Sequence, residues 1–291
     1  MLKSLSGLFL SALALSIAAP VAAQAPAPGA ATDPAPLLLI HREELKPGHS
    51  AAHTVSETAW AGAFAKAGVP VYWLGMTTIV GPSEAWFLER HDSLASVERS
   101  EAVVDGNASL RAESDGFSAG EADMVSRMSR LIARYRPGMS YQAGISLTDK
   151  RFMAVDIVRV KPGYVADFAE NWREIVAAHT KAGLSEHWAV YQIDSGMADG
   201  TFLFLYPHAS LAEADAAGPA HAAEAYRDAV GERGRQRSAD VQKTGVEASA
   251  RYYFRLSPAM STLPKAWSDA DPFWNRPAPV ATPAARNERR R

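Results

Sequence analysis

Two polar residues stand in stretches of sequence that are otherwise apolar. Asp156 lies in the middle of FMAVDIVRV, where an unpaired buried carboxylate would cost several kcal/mol. His41 holds the matching place 115 residues earlier, so the two residues would occupy equivalent sites and could bind a ligand or exchange a proton. The alternatives are a structural ion pair or a strand face partly open to water. They are favoured because ionisable groups with a purely structural role also have shifted pKa values.

A second pair, His53 and Glu57, is spaced four residues apart and shares one face of a predicted helix. In a functional interpretation Glu57 would orient His53 as a general base or a metal ligand. The favoured interpretation is a solvated surface pair, because polar pairs at this spacing are common on exposed helices.

Three further candidates lie in the second half of the chain. His179 falls on the apolar stripe of a predicted helix, where a core histidine is favoured over a haem or metal ligand. Trp188 and Tyr191 could form the wall of an apolar ligand pocket, or they belong to the core. Since no further ligands can be located, the sequence predicts no metal site and no cofactor, with haem at His179 as the alternative.

The composition excludes several classes of function. The 291 residues contain no cysteine, which excludes disulfides, zinc–thiolate sites and a cysteine nucleophile. A net charge of −2 gives no basic face for nucleic acid. Phosphate-binding glycine loops, HExxH and EF-hand motifs do not occur.

The N-terminal residues resemble a secretory signal. Lys3 precedes the apolar stretch Leu5–Ala19, which is too short to span a bilayer, and cleavage is predicted after Ala23. We therefore expect an extracytoplasmic protein without a membrane span. An Ala/Pro-rich linker (24–36) follows the signal, and a Pro-rich tail (259–291) whose aromatic residues dock on the body ends the chain.

The rest of the chain is an internal repeat. Lys46-Pro47-Gly48 matches Lys161-Pro162-Gly163, and Lys66-Ala67-Gly68 matches Lys181-Ala182-Gly183, at the same offset of 115 residues. Further matches at this offset pair Trp73 with Trp188 and Gly81 with Gly196. The repeats are placed at 37–147 and 148–258.

Each repeat is predicted to follow the order β-α-β-β-α-β of ferredoxin-like units. The predicted strands are Leu37–Glu43, Val71–Val80, Glu84–His91 and Ser140–Leu147, and then Phe152–Val160, Glu186–Asp194, Thr201–Tyr206 and Ala250–Leu256. The second helix of repeat one is predicted to end near Tyr135. Because the strand at 152–160 is apolar on both sides, we expect an α+β protein whose two antiparallel sheets pack face to face as a barrel.

The succession of strand, Lys-Pro-Gly turn, helix, Ala-Gly and hairpin resembles the dimeric α/β-barrel superfamily, and the turn is similar to that of its NIPSNAP-like members. The resemblance covers about residues 37–258, with a fused tandem in place of the dimer. It implies a fold shared with haem-degrading and cofactor-free monooxygenases, with chlorite-dismutase-like haem enzymes, and with proteins of no known activity.

These observations predict an exported protein that binds a small apolar molecule inside the barrel without catalytic machinery. The alternative is an oxygenase or haem enzyme that uses His41, Asp156 and His179. Self-association through a sheet edge or the aromatic tail stays open.

Overall fold

The computed structural model describes residues 33–217 and 223–275. The predicted signal sequence, most of the linker and the tail beyond residue 275 lie outside these residues. Within the described ranges, no helix is long and apolar enough to cross a membrane.

Each repeat contains four strands and its helices in the order expected from the sequence. Repeat one comprises β1 Leu37–Leu45, α1 Ser50–Ala67, β2 Trp73–Val80, β3 Glu84–His91, α2 Leu94–Gly106, α3 Ala108–Met124 and β4 Val125–Tyr135. Repeat two comprises β5 Phe152–Val160, α4 Val165–Ala182, β6 Ala189–Ser195, β7 Thr201–His208, α5 Leu211–Ala217, α6 Glu224–Thr244 and β8 Val246–Leu256. A short helix, α7 Lys265–Ala270, follows.

The last strand of repeat one lies earlier than predicted. Residues 125–135 form β4, whereas the predicted strand Ser140–Leu147 is irregular apart from an isolated bridge at Tyr141. β4 pairs with β1 as β8 pairs with β5, but Val125 and Val246 are 121 residues apart instead of 115. The helical part of repeat two is thus six residues longer. The strand of repeat one was predicted too late because its second helix was expected to end near Tyr135, whereas α3 ends at Met124.

The eight strands close into one antiparallel barrel in the order β1-β3-β2-β8-β5-β7-β6-β4. Each repeat supplies four neighbouring strands, and the repeats join edge to edge where β2 pairs with β8 and β4 pairs with β6. The predicted α+β barrel built from two sheets is confirmed. Closure also leaves no free edge among these strands for pairing with another chain.

The barrel interior is packed with apolar side chains from both repeats. Alternate residues of each strand point inward, as Leu38 and Ile40 do from β1 and Met153 and Val155 from β5. Two large inward side chains, Trp86 and Phe254, have no exposed surface and their rings lie 5.2 Å apart. Side chains therefore fill the space in which an apolar ligand was expected.

The segment after β8 packs back onto the barrel. Trp267 and Trp274 are buried and join the core of the barrel interior, which confirms that tail aromatics dock on the body. Gly75 of β2 lies directly against this segment, because a Cβ at Gly75 would stand 2.7 Å from the Met260 carbonyl oxygen. The close approach therefore requires glycine at this position.

Replacing Gly75 by alanine is expected to destabilise the protein by about 1–3 kcal/mol, because the methyl group would displace the Met260 backbone. Gly62 in α1 has open space around its Cα, and Gly62→Ala is expected to stabilise the helix by up to about 1 kcal/mol. Urea unfolding of the two variants measures the difference. Equal stability of the two variants would contradict the close packing.

Candidate metal centre

His41 and Asp156 lie on the outer surfaces of the two sheets, not inside the barrel. Asp156 accepts two hydrogen bonds of 2.6 Å from Arg251, and His41 Nε2 lies 3.5 Å from Glu89 Oε1. The inward positions of their strands are the even-numbered residues of β1 and the odd-numbered residues of β5. The barrel wall therefore keeps the two residues apart, and the structural ion pair is the correct interpretation of Asp156.

His179 is enclosed in the core of repeat two. Its Nδ1 lies 2.8 Å from the Ile175 carbonyl oxygen, and the rings of Tyr141, Trp188 and Tyr226 surround it at 4.8–5.4 Å. A haem could not approach this side chain without displacing those rings, so the residues present do not fit the group.

Trp188 and Tyr191 do not share a pocket. Trp188 belongs to the core beneath α4, where its Nε1 donates a hydrogen bond to the Met139 carbonyl oxygen. Tyr191 points into the barrel with Ile193. The structure supports the alternative that both are core residues.

The pair His53 and Glu57 is buried, so its prediction as a solvated surface pair is wrong. His53 has no exposed surface and Glu57 is 3% exposed. Two residues that the sequence analysis did not select, Glu43 and Glu121, complete a cluster with them and are 5% and 4% exposed. We call these four residues the His–Glu cluster.

Three elements bring the cluster together. Glu43 lies on the outer surface of β1, His53 and Glu57 face it from α1, and Glu121 lies near the end of α3. The turn between β1 and α1 contains Gly48 at φ 83°, which a residue with a side chain rarely adopts. After this turn α1 runs back across β1, so its inner face covers Glu43.

Two hydrogen bonds from Lys46 fix the end of α3 beside the same turn. The Lys46 amide donates to the Met124 carbonyl oxygen at 2.8 Å, and the Lys46 amine donates to the Ala122 carbonyl oxygen at 2.9 Å. Because Ala122 and Met124 flank the last turn of α3, these bonds hold Glu121 near the end of β1.

The donor atoms of the His–Glu cluster converge on one point. His53 Nε2 is 2.6 Å from Glu43 Oε2 and 3.7 Å from one oxygen each of Glu57 and Glu121. One donor atom from each of the four residues lies within 4.8 Å of the other three. Both oxygens of Glu121, and Oε1 of Glu57, have no hydrogen-bond partner among the described residues.

Burial and mutual repulsion raise the pKa values of two carboxyl groups of the cluster. Desolvation, together with the charges of Glu43 and Glu121, raises the pKa of Glu57 to about 10. Desolvation and the charge of Glu43 also raise the pKa of Glu121. The metal-free cluster therefore holds Glu57 as a neutral acid at pH 7, although a cation at the centre would favour its ionised form.

The C-terminal end of α3 favours a cation at the His–Glu cluster. Glu121 is in the last turn of α3, where the negative helix end disfavours a further anion unless a cation is present.

The equivalent positions of repeat two are all apolar. Val158, Phe168 and Trp172 lie 115 residues after Glu43, His53 and Glu57. Val241 takes the place of Glu121, because its carbonyl oxygen accepts from Gly245 as that of Glu121 accepts from Val125. These four residues pack together in the core beneath α4 and α6. The scaffold therefore does not need ionisable groups at these positions.

Of the two missed residues, only Glu43 gave a weak sequence signal. Glu43 follows His41 on the outer surface of β1, at a position where repeat two has Val158. Glu121 gave no usable signal, because the helix that carries it was predicted to continue to Tyr135. Its approach to His53 depends on a contact between residues 68 positions apart.

The donor set is one imidazole nitrogen with carboxylate oxygens. Carboxylates suit Mg²⁺, Ca²⁺ and Mn²⁺, whereas imidazole suits Zn²⁺, Fe and Ni²⁺. The mixed set is therefore most suitable for a first-row metal that accepts both donor types, such as manganese or iron.

Comparison with known proteins agrees with the fold. A candidate monooxygenase from Fusobacterium nucleatum aligns with a TM-score of 0.50 and 13% identity over 77% of this chain and 94% of its own. The fold is that of the dimeric α/β barrels. A candidate monooxygenase from Lactobacillus acidophilus aligns with a TM-score of 0.48 and 9% identity over 76% of this chain and 93% of its own.

A mutant chlorite dismutase from Candidatus Nitrospira defluvii aligns with a TM-score of 0.43 and 9% identity over 81% of this chain and 95% of its own. No protein-family model and no curated protein sequence matches the chain. At these identities the likeness concerns the fold alone.

Proposed function

We propose that this chain is a metal-binding protein whose centre is the His–Glu cluster of repeat one. The observation that carries the proposal is the convergence of four buried ionisable side chains where repeat two has an apolar core. Burying such groups without compensation costs several kcal/mol, and a cation would compensate all three carboxylates at once.

The proposal does not include turnover of a substrate. All four side chains are almost inaccessible to solvent, which favours retention of an ion over exchange of reactants. The filled barrel interior likewise does not favour the apolar ligand expected from the sequence. Export after cleavage near Ala23 and a relationship to NIPSNAP-like proteins remain predictions that accompany the proposal.

Metal content after desalting tests the proposal directly. Purified protein is incubated separately with Mn²⁺, Fe²⁺ under anaerobic conditions, Zn²⁺, Ca²⁺ and Mg²⁺, and the retained metal is measured by mass spectrometry. We expect about one manganese, iron or zinc ion per chain and little calcium or magnesium.

The double variant Glu57→Gln/Glu121→Gln is expected to lose more than about 100-fold in affinity, since even outer-shell partners contribute about 10–100-fold. Glu170→Gln, on the exposed surface of α4, is the matched control and should bind as the parent does. If the parent protein retains no metal, the cluster is a buried ion pair with protonated neighbours and the proposal is wrong.

A further inference from the structure

The His–Glu cluster is almost closed to solvent, so an ion can reach it only if one of the three supporting elements moves. None of the four side chains exceeds 6% exposure. A buried site of this kind exchanges its contents through local opening, which costs least where few buried side chains anchor the chain. The anchoring of β1, α1 and α3 therefore identifies the element that opens.

β1 and α1 are firmly anchored. β1 carries Glu43 and lies within the barrel wall, where it is hydrogen-bonded to β3 on one side and to β4 on the other. α1 carries His53 and Glu57, and its C-terminal half also buries apolar residues such as Phe64 in the core of repeat one. Moving either element would break the sheet or expose that core.

α3 is the least anchored of the three elements. Its buried side chains, among those that the structure describes, are Leu110, Glu121 and Met124. Phe117 stacks on Trp60 of α1 with ring centroids 4.8 Å apart, but it is only half-buried. Gly116 and Gly120 lie inside the helix with open space where a Cβ would stand, and interior glycines weaken a helix. The preceding helix, α2, has no buried residue that could hold α3 in place.

The side chain of Lys46 closes the last turn of α3. Its amine donates a 2.9 Å hydrogen bond, exposed to solvent, to the carbonyl oxygen of Ala122, the residue after Glu121. In repeat two, Lys161 donates in the same way to the Thr244 carbonyl oxygen at 2.8 Å, beside an apolar core. The same contact thus recurs in both repeats, but in repeat one it adjoins a candidate ligand.

We propose that the last turn of α3, held by Lys46, is the gate through which an ion enters and leaves the His–Glu cluster. This inference rests on the proposed function, because it concerns exchange of the same ion. When the turn opens, Glu121 moves away and the other three ligands stay in place. Since Lys46 binds a backbone oxygen and no ligand side chain, its bond stabilises the closed turn equally with and without the ion. Weakening that bond therefore accelerates uptake and release by the same factor and leaves the Kd unchanged.

Two substitutions shift the gate in opposite directions. Lys46→Met removes the amine but keeps the backbone bond to Met124, so uptake and release are both expected to become about 3–10-fold faster. Gly120→Ala stabilises the closed helix and is expected to slow both rates about fivefold. The Kd, measured by competition with a chelator, should be that of the parent in both variants.

The rates are measured on the full chain with the ion that the parent protein retains among Mn²⁺, Zn²⁺ and, under anaerobic conditions, Fe²⁺. Release is started with excess EDTA and uptake with excess ion, and both are followed as the metal retained after rapid desalting. Lys161→Met removes the corresponding bond of repeat two and is the matched control, whose rates should equal those of the parent. Lys46→Arg keeps a charged donor and should restore slow exchange.

Parent-like rates in Lys46→Met would overturn the gate while metal binding stands, and Gly120→Ala decides the question if Lys46→Met does not fold. Faster release without faster uptake would also overturn it, because Lys46 would then act on the affinity of the closed site. The same holds if Lys161→Met accelerates exchange as much as Lys46→Met does. If the parent retains no ion, the proposed function and this inference both fail.

Discussion

The metal-free protein is expected to become less stable as the pH rises from about 5 to about 9, and saturating metal is expected to remove this loss. The folded state raises the pKa of Glu57 from 4.5 to about 10. Between these values the unfolded chain releases a proton that the folded chain retains. The stabilisation is therefore complete below pH 4.5 and is lost progressively as the pH approaches 10.

Thermal unfolding across this range, with and without metal, measures the effect. A difference of 2 in pKa between the folded and unfolded states corresponds to about 2.7 kcal/mol of unfolding free energy. In a domain of this size that changes the Tm by about 5–10 °C. Glu57→Gln cannot ionise and should show a flatter profile. Glu89, whose pKa is lowered to about 2 by His41 and His91 despite its burial, acts only in acid and does not confound the comparison. A parent profile as flat as that of the variant would contradict the assignment.

Transplanting the apolar residues of repeat two into repeat one is expected to stabilise the metal-free protein by about 1–4 kcal/mol, because buried ionic groups are often weaker than apolar packing of similar volume. The variant carries Glu43→Val, His53→Phe, Glu57→Trp and Glu121→Val. It should also bind no metal. A second version carries Glu57→Leu in place of Glu57→Trp, because an indole ring too large for this space would itself reduce stability.

Removal of His53 alone should have the opposite effect. His53→Ala leaves Glu43 buried without its partner and is expected to cost about 3–5 kcal/mol in the metal-free protein. Urea unfolding compares both variants with the parent. If the transplanted variant is less stable than His53→Ala, the cluster is a structural network that the scaffold depends on, and our explanation of it is wrong.

Local signals were sufficient to predict most of the fold. The strands at 84–91 and 152–160 were predicted with the bounds that the structure has, because apolar, β-branched composition and neighbouring Pro and Gly residues are local properties. The repeat also made a barrel predictable, since two apolar sheets in one chain can cover each other. β4 was misplaced because its residues were predicted to continue the second helix, which ends at Met124 and not near Tyr135.

The site was less predictable, because it depends on which side of each strand faces inward. β5 is apolar on both sides, so alternation alone could not decide whether Asp156 pointed into the barrel. The burial of His53 and Glu57 required knowing that α3 covers them. That packing brings residues 53 and 121 together, and no local pattern encodes it.

The presence of both repeats in one polypeptide has a consequence for symmetry. In a homodimer of identical chains, any substitution appears twice, once on each side of the twofold axis. Here the two halves have diverged, so that one carries Glu43 and His53 where the other carries Val158 and Phe168. Two diverged repeats in one polypeptide thus permit a barrel in which one half carries a buried His–Glu cluster and the other carries apolar residues at the equivalent positions.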